Sequence, residues 1–289
     1  MARRVVLRKI YAPQKAQGPP NLDLVLIHGL DGDPIKTWQD GECGTLWPKD
    51  LLPLIFPRTR VWSFGYNADI YRNNSVASIR DNARSLLQYL ELERRPTKRR
   101  DSLPIVFVAH CLGGLIVKQA MHFASFDPAF SRTDIAFQTQ LIVFFGTPHQ
   151  GITKEQWDQI VEGYAVRDGP LGKRTRLVDT MRRDSAILSD ITCKFRQMAD
   201  DYDITSFYER RPWKGTDACI VNETAAQMAI ENEIARPVDA DHIAMCRFSS
   251  ISNFDFRLLC RDIENATGIE AETPDEDEAE IGEETSTTE

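Results

Sequence analysis

Residues 104–118 read PIVFVAHCLGGLIVK, and this stretch decides how the rest of the chain is interpreted. Its opening residues form a nearly continuous apolar run, which is typical of a strand buried on both faces of a sheet. A helical pattern over Leu112–Ala124 follows immediately, so a sharp turn centred on Cys111 joins the strand to the helix. The small residues Ala109 and Gly113, two positions away on either side, are what a strained turn of this kind requires.

This strand, turn and helix match the pattern of a nucleophile elbow, in which the residue at the turn projects above the sheet. Cys111 occupies that position, while His110 and Gly113 belong to the turn and Gly114 lets the helix pack close to the sheet. The start of a helix stabilises negative charge and therefore favours a thiolate. We predict Cys111 as the catalytic nucleophile; the alternative is an ordinary strand-to-helix turn that buries a cysteine.

An earlier predicted strand ends in His28, Gly29 and Leu30. In proteins with a nucleophile elbow, the loop after this strand supplies one N–H group of the oxyanion hole, and the residue after the nucleophile supplies the other. We therefore predict the backbone N–H groups of Leu30 and Leu112 as the two donors. His28 is predicted to shape the loop, because the order nucleophile, acid, histidine places the catalytic base after the elbow.

Two histidines lie usefully downstream of the elbow for the role of base. We choose His242, which lies in the loop VDADHIA after the last predicted strand. His149 follows the strand next to the elbow and is predicted to line the pocket, with a structural role favoured over direct catalysis. His122 is interpreted as a residue on the face of the helix that follows the elbow.

The predicted triad acid is Glu209, which closes the predicted strand ITSFYE at the place where the third member of a triad should emerge. Asp217 and Glu223 come next along the chain and stay open as alternatives. Asp239 and Asp241 are interpreted as residues that only solvate the histidine loop.

Short apolar, β-rich runs alternate with helical patterns along the chain, which indicates a largely parallel sheet. The predicted strands are Val5–Tyr11, Leu22–His28, Thr59–Tyr66, Leu103–His110, Gln140–Phe145, Ile204–Tyr208 and Ala218–Val221. Helices are predicted over Ser75–Arg94 and Leu112–Ala124, and a helical insertion over about residues 152–200. That insertion either covers an apolar pocket suited to acyl or lipid groups or simply completes the helical layer.

The charge of the chain is concentrated at its end. The formal net charge is −8, but residues 270–289 contain ten acidic residues and no basic one, so 35 basic and 33 acidic residues remain elsewhere. We predict one domain over residues 1–268 and a disordered acidic tail over 269–289. The near-neutral body gives no support for nucleic-acid binding.

Composition also bears on cofactors and location. Six cysteines are scattered without a CxxC pair, so we predict no metal site, no cofactor and reduced thiols. No apolar run approaches the roughly 20 residues that a membrane span requires. These features predict a cytoplasmic protein; a mitochondrial presequence is the alternative, because no acidic residue precedes Asp23.

Seven segments of the chain resemble, in family order, the serine-esterase-like α/β-hydrolases related to GPI inositol deacylase and to the serine-active-site-containing lipid-remodelling proteins. In particular, they resemble the N-terminal hydrolase domains of fungal STAND (NLR-like) proteins. The matching segments are IHGLDGDPIKTW (27–38), LWPKDLLP (46–53), VWSFGYNAD (61–69), AHCLGGLIVKQA (109–120), FFGTPHQG (144–151), SFYE (206–209) and DADHIAMCRF (239–248). The resemblance implies esterase, lipase or amidase chemistry, with Glu209 and His242 at motif positions.

The expected fold class is thus α/β: an α/β-hydrolase fold with a mostly parallel sheet, helices on both faces and a helical insertion after the sixth strand. The expected function is hydrolysis of a carboxylic ester, with a lipid or another small acyl ester as substrate. The chain departs from the family pattern His-Ser-Leu-Gly-Gly, because Cys111 replaces the serine. The alternatives are an impaired module that binds a ligand or protein partner in a STAND-type immunity system, or an introduced cysteine that traps an inactive enzyme.

Overall fold

The computed structural model describes residues 5–68, 78–94, 103–131, 133–154, 156, 158, 179–213 and 217–273. Its centre is a seven-stranded sheet with the strand order β1-β3-β2-β4-β5-β6-β7. The strands are β1 (Val6–Tyr11), β2 (Leu22–Ile27), β3 (Thr59–Gly65), β4 (Ile105–His110), β5 (Thr139–Phe145), β6 (Asp203–Glu209) and β7 (Glu233–Val238). β1 pairs with β3 in antiparallel fashion, and the other five pairings are parallel. The predicted mostly parallel sheet is confirmed.

Helices follow most of these strands in the part of the chain that the structure describes. They are α1 (Trp47–Asp50), α2 (Leu52–Ile55), α3 (Ile79–Glu93), α4 (Leu112–Phe126), α5 (Ile135–Gln138), α6 (Ala186–Arg196), α7 (Glu223–Ala226) and α8 (Phe254–Thr267). α3 begins where it does because Ser78 caps it: its hydroxyl accepts the Asp81 N–H, and the Asp81 carboxylate accepts the Ser78 N–H. Within the described ranges, no helix is long and apolar enough to cross a membrane.

Alternate residues of the central strands enter two separate cores, because successive side chains of a strand point to opposite faces of the sheet. On one face Ile27 and Phe107 pack with α3, α4 and α6. On the other face Leu26 and Val108 pack with α1, α2 and α8. Helices therefore cover both faces of the sheet, as the sequence predicts.

The seventh strand differs from the prediction. Ala218–Val221 lies in an irregular loop, and the strand that pairs with β6 is Glu233–Val238. β7 is an edge strand, so it does not need the apolar run of a central strand, and Pro237 is tolerated there. The prediction at Ala218–Val221 was wrong because it took apolar character alone as the signal of a strand.

The helical insertion is described only in part. It follows β5, the fifth strand along the chain, rather than the sixth, and its described portion contains α6 and a 3₁₀ turn at Ala199–Asp201. Residues 159–178, which carry much of the predicted insertion, lie outside the described residues, as do residues 274–289 of the predicted acidic tail.

The sheet brings the predicted site residues to one edge, because parallel strands end on the same side. The loop that holds Leu30 follows β2, and Cys111 follows β4. Glu209 is the last residue of β6, and His242 lies in the loop after β7. The predicted site residues therefore all lie at the carboxyl edge of the sheet.

Gly113 allows α4 to approach β2 closely, and substituting it tests this contact. An added Cβ would lie 2.4 Å from the Ile27 carbonyl oxygen and 2.7 Å from that of His28, both of them backbone atoms. Helix propensity alone favours alanine by about 1 kcal/mol. We nevertheless expect Gly113→Ala to lower the free energy of unfolding by about 1–3 kcal/mol because of this overlap.

Urea denaturation of Gly113→Ala beside Gly41→Ala measures the effect. At Gly41 the nearest atom to an added Cβ is 3.7 Å away, so we expect that control to change stability by less than about 0.5 kcal/mol. A Gly113→Ala protein as stable as the wild type would contradict the close packing of α4.

Candidate active site

Cys111 lies at a strained turn between β4 and α4. Its φ of 53° and ψ of −121° are unusual for a residue with a side chain, and such a conformation costs about 1–3 kcal/mol. The Cys111 N–H donates to the Phe145 carbonyl at 2.8 Å, which ties the turn to β5. An added Cβ at Gly29 would lie 2.6 Å from the Cys111 Cβ. Position 29 therefore has to be glycine for the loop after β2 to lie against the elbow.

Two backbone N–H groups next to the elbow are without a hydrogen-bond acceptor in the described part of the chain. One belongs to Leu30 in the loop after β2, and the other to Leu112, the first residue of α4. The contact between Gly29 and Cys111 holds that loop against the turn. The described part of the fold therefore leaves both N–H groups unused.

His242 and Glu209 form a buried pair. The His242 Nδ1–H donates to Glu209 Oε2 at 2.5 Å, and both residues are at most 3% exposed. The second carboxylate oxygen, Oε1, accepts the Val221 N–H at 2.7 Å. The loop that the sequence predicts as a strand thus fixes the carboxylate in place, and the carboxylate orients the imidazole.

The charge of the imidazole follows from its surroundings. Burial alone would lower the pKa of His242, but the negative charge of Glu209 and the sulfur of Cys111 raise it to about 10. Cys111 acts on the ring at close range, although no hydrogen bond to His242 Nε2 is formed within the described structure. A positively charged ring at this position can give a proton to a leaving group.

His110 joins the elbow to the histidine loop. Its Nε2–H donates to the His242 carbonyl at 2.8 Å, and the two ring centroids are 4.7 Å apart. Burial, together with the neighbouring His242, holds the pKa of His110 well below its usual value, so the ring is neutral. Gly146 leaves room on another side, since an added Cβ would lie 2.8 Å from His242 Cε1. The position of His242 is therefore set by β5 and by the elbow as well as by Glu209.

His28 is hydrogen-bonded within the loop after β2 and to the chain after β3. Its Nδ1–H donates to the Gly29 carbonyl at 2.9 Å, and its Nε2 accepts the Tyr66 N–H at 3.3 Å. The Tyr66 hydroxyl donates to the His28 carbonyl at 2.9 Å, and the two rings stack at 4.4 Å. Tyr66 has no role in the sequence-based account, although it lies in one of the matching segments.

The other predicted pocket residue, His149, is buried in the loop that follows β5. Its ring packs edge-on against Phe144 with centroids 4.7 Å apart. Burial, with the positive charges of Lys118 and Arg196, lowers the pKa of His149 well below its usual value. The structure therefore groups His149 with Lys118, a residue that the sequence does not single out, and no contact joins it to the Glu209–His242 pair.

The remaining candidate acids do not contact His242. Asp217 and Glu223 are exposed, and Asp239 pairs with Arg211 at 2.6 Å. Asp241 accepts backbone N–H groups at the start of the turn that follows His242. Of the five carboxylates considered, Glu209 is the one that the fold brings to the histidine.

Removing the charge of Glu209 tests the coupling of this pair. We expect Glu209→Gln to lower the pKa of His242 by about one to three pH units, because the nearest negative charge is lost while burial is kept. Titration of the histidine ring signals by NMR measures the value. Glu223→Gln, at an exposed carboxylate, should leave it unchanged, and an unaltered His242 in Glu209→Gln would contradict the pairing.

The same pair links folding to pH. The pKa of His242 is raised on folding, so its contribution to stability is complete below the ordinary histidine value of about 6.5 and is lost as the pH rises through about 10. We expect the free energy of unfolding to fall across this window, less steeply in Glu209→Gln. Urea denaturation at a series of pH values measures the slope; equal slopes in the two proteins would contradict the linkage.

The sequence of the chain was compared with those of known proteins. No family model matches the chain. Protein SERAC1 of Danio rerio is 28% identical over 285 residues, which cover 90% of this chain and 41% of that protein. Protein SERAC1 of Homo sapiens is 25% identical over 284 residues, which cover 89% of this chain and 42% of that protein. The chain thus spans about two fifths of the length of the curated relatives that it matches.

Solved structures agree with the topology. The mature lipase BlEst2 of Bacillus licheniformis has a TM-score of 0.54 at 15% identity, over 89% of this chain and 97% of that chain. MGS-MChE2, an alpha/beta hydrolase enzyme from a sediment metagenome of the Mar Chica lagoon in Morocco, has a TM-score of 0.50 at 15% identity, over 92% and 97%. Together with the mostly parallel sheet and the strained turn after β4, this likeness shows that the chain has the α/β-hydrolase fold.

Proposed function

We propose that this chain is a carboxylic-ester hydrolase for lipid or other acyl esters, with a triad of Cys111, His242 and Glu209. The observation that carries the proposal is the buried hydrogen bond between Glu209 and a histidine whose ring lies beside the sulfur at the elbow. A buried carboxylate that orients a histidine next to a nucleophile is the arrangement of acyl-transfer triads. The lipase with the same fold supports the choice of an ester substrate.

In the proposed reaction, the Cys111 sulfur attacks the ester carbonyl carbon, and the bond from that carbon to the alcohol oxygen breaks. The protonated His242 gives its Nε2 proton to the departing alcohol, which leaves a thioester on Cys111. His242 then takes a proton from water, which attacks the thioester; the carbon–sulfur bond breaks with its electron pair going to the sulfur, the acid leaves, and His242 keeps the proton for the next turnover. The N–H groups of Leu30 and Leu112 bind the carbonyl oxygen while it carries negative charge.

The cysteine narrows the expected substrates. A C–S bond is longer than a C–O bond, so the attacked carbon is displaced relative to oxyanion donors that the backbone fixes. Misplacement on this scale can lower a rate by about 10²-fold. We therefore expect turnover to be slow or restricted to activated esters and thioesters, with ordinary alkyl esters slower still.

The domain arrangement is part of the proposal. We propose one hydrolase domain over residues 1–268, with a helical insertion at about 152–200 and a separate acidic segment over 269–289; the insertion either covers an acyl-binding pocket or completes the helical layer. The curated relatives are more than twice as long as the chain, so what their remaining parts contribute is a separate question.

Ester turnover by matched variants tests the proposal. We expect the protein to hydrolyse p-nitrophenyl butyrate, Cys111→Ala to abolish this activity, and His242→Ala to lower kcat/KM by about 10²–10⁴-fold. Cys111→Ser should hydrolyse the ester as well, because it restores the serine of the resembling family. Cys43→Ser, at an exposed thiol, should behave as the wild type.

Equal turnover in wild type and Cys111→Ala would contradict the assigned nucleophile. If neither the wild type nor Cys111→Ser hydrolyses esters or thioesters, while both stay folded, the proposal fails in favour of a binding or signalling module.

A further inference from the structure

Three buried polar side chains surround the ring of Phe144, next to the candidate active site. The Lys118 Nζ atom lies 5.9 Å from the ring centroid, and the His149 ring lies edge-on at 4.7 Å. Thr147 adjoins the same ring: a Cβ added at Gly114 would meet the Thr147 Oγ1 at 2.2 Å and the Phe144 ring at 2.8 Å. The three side chains therefore form one cluster, which we call the Phe144 cluster.

The polar atoms of the Phe144 cluster have no hydrogen-bond partner within the described residues. This holds for Lys118 Nζ, Thr147 Oγ1 and both ring nitrogens of His149. All three residues are at most 1% exposed. Buried polar groups of native proteins are nearly always satisfied by protein, water or a bound molecule, so three unpartnered groups side by side point to a ligand.

The charges around the Phe144 cluster identify the kind of ligand. Burial lowers the pKa of Lys118 to about 7, while the Glu233 carboxylate opposes that effect. Glu233 is already engaged elsewhere, since it accepts the Ser206 hydroxyl at 2.6 Å and the Met228 N–H at 2.9 Å. Arg196 adds a second positive charge near Lys118 and His149. Within the described residues the cluster therefore offers hydrogen-bond donors beside two basic side chains, and the neighbouring Glu233 carboxylate is already hydrogen-bonded.

We propose that Lys118, Thr147 and His149 form a closed binding site for a small oxyanion, either inorganic phosphate or a carboxylate. The ammonium group, the hydroxyl and one imidazole N–H would each donate to its oxygens. The loop after β5 connects the proposed site to the candidate active site. Gly146 of this loop lies against His242, whereas Thr147 and His149 line the oxyanion site. An anion bound there would also stabilise the loop against which the histidine packs.

Thermal unfolding of the full chain tests this site without any ester substrate, so its outcome is separate from that of the proposed hydrolysis. The probes are sodium phosphate and sodium acetate, with ionic strength held constant by sodium gluconate, whose anion is too large for a closed site. We expect at least one probe to raise the melting temperature, by about 3–6 °C at a tenfold excess over Kd. The effective probe tells phosphate from carboxylate.

Lys118→Met should lose this rise, whereas Lys15→Met, at an exposed lysine, should keep it. If Lys118→Met does not fold, Thr147→Val serves in its place, and isothermal calorimetry with the effective probe should show at least about tenfold weaker binding than the wild type. A wild-type melting temperature that neither probe raises would overturn the proposal, as would full retention of the effect in a folded Lys118→Met or of the affinity in Thr147→Val.

Discussion

The backbone of Cys111 is the constraint on which the other features of the site depend. A residue at φ 53° directly after a buried strand holds its side chain at the top of the sheet and starts α4 at once. This turn requires the backbone of the loop after β2 and the first turn of α4 to approach their neighbours closely. Gly29 and Gly113 sit where any Cβ would overlap the elbow or β2, and Gly114 sits where one would overlap Thr147. The strain is stored locally and offset by two hydrophobic cores that cover the sheet.

The buried pair of Glu209 and His242 is the second feature that the site depends on. Glu209 is buried at the end of β6, and its two oxygens are used by His242 and by the backbone of Val221. Burying a carboxylate is costly unless it is hydrogen-bonded, and here its side-chain partner is the His242 ring. His110 adds a hydrogen bond from the elbow to the backbone of the same histidine. The candidate nucleophile and base are thus fixed to each other by the fold, although they lie 131 positions apart in sequence.

Much of this arrangement can be predicted from the sequence, because buried parallel strands leave long apolar runs and an elbow demands small residues at fixed positions. The order nucleophile, acid, histidine along the strand ends also predicts Glu209 as the acid and His242 as the base. The contact of His110 with the His242 backbone could not be predicted, since no local pattern records a hydrogen bond across 132 positions. The edge strand β7 could not be predicted for a related reason. Its exposed residues lack the apolar pattern that indicates a buried strand, and a proline such as Pro237 is normally taken as evidence against a strand. Lys118 looks like a solvent-facing residue of α4, and its burial is visible only once α6 covers it.

A transient thioester on Cys111 is the central chemical claim, and intact-protein mass spectrometry tests it most directly. The protein is mixed with an activated acyl ester, quenched in acid within seconds and then digested to locate any adduct. We expect one added acyl group on Cys111, removed by neutral hydroxylamine as a thioester should be, and absent from His242→Ala. An acyl group on a different residue, or an unmodified Cys111 in protein that turns the ester over, would contradict it.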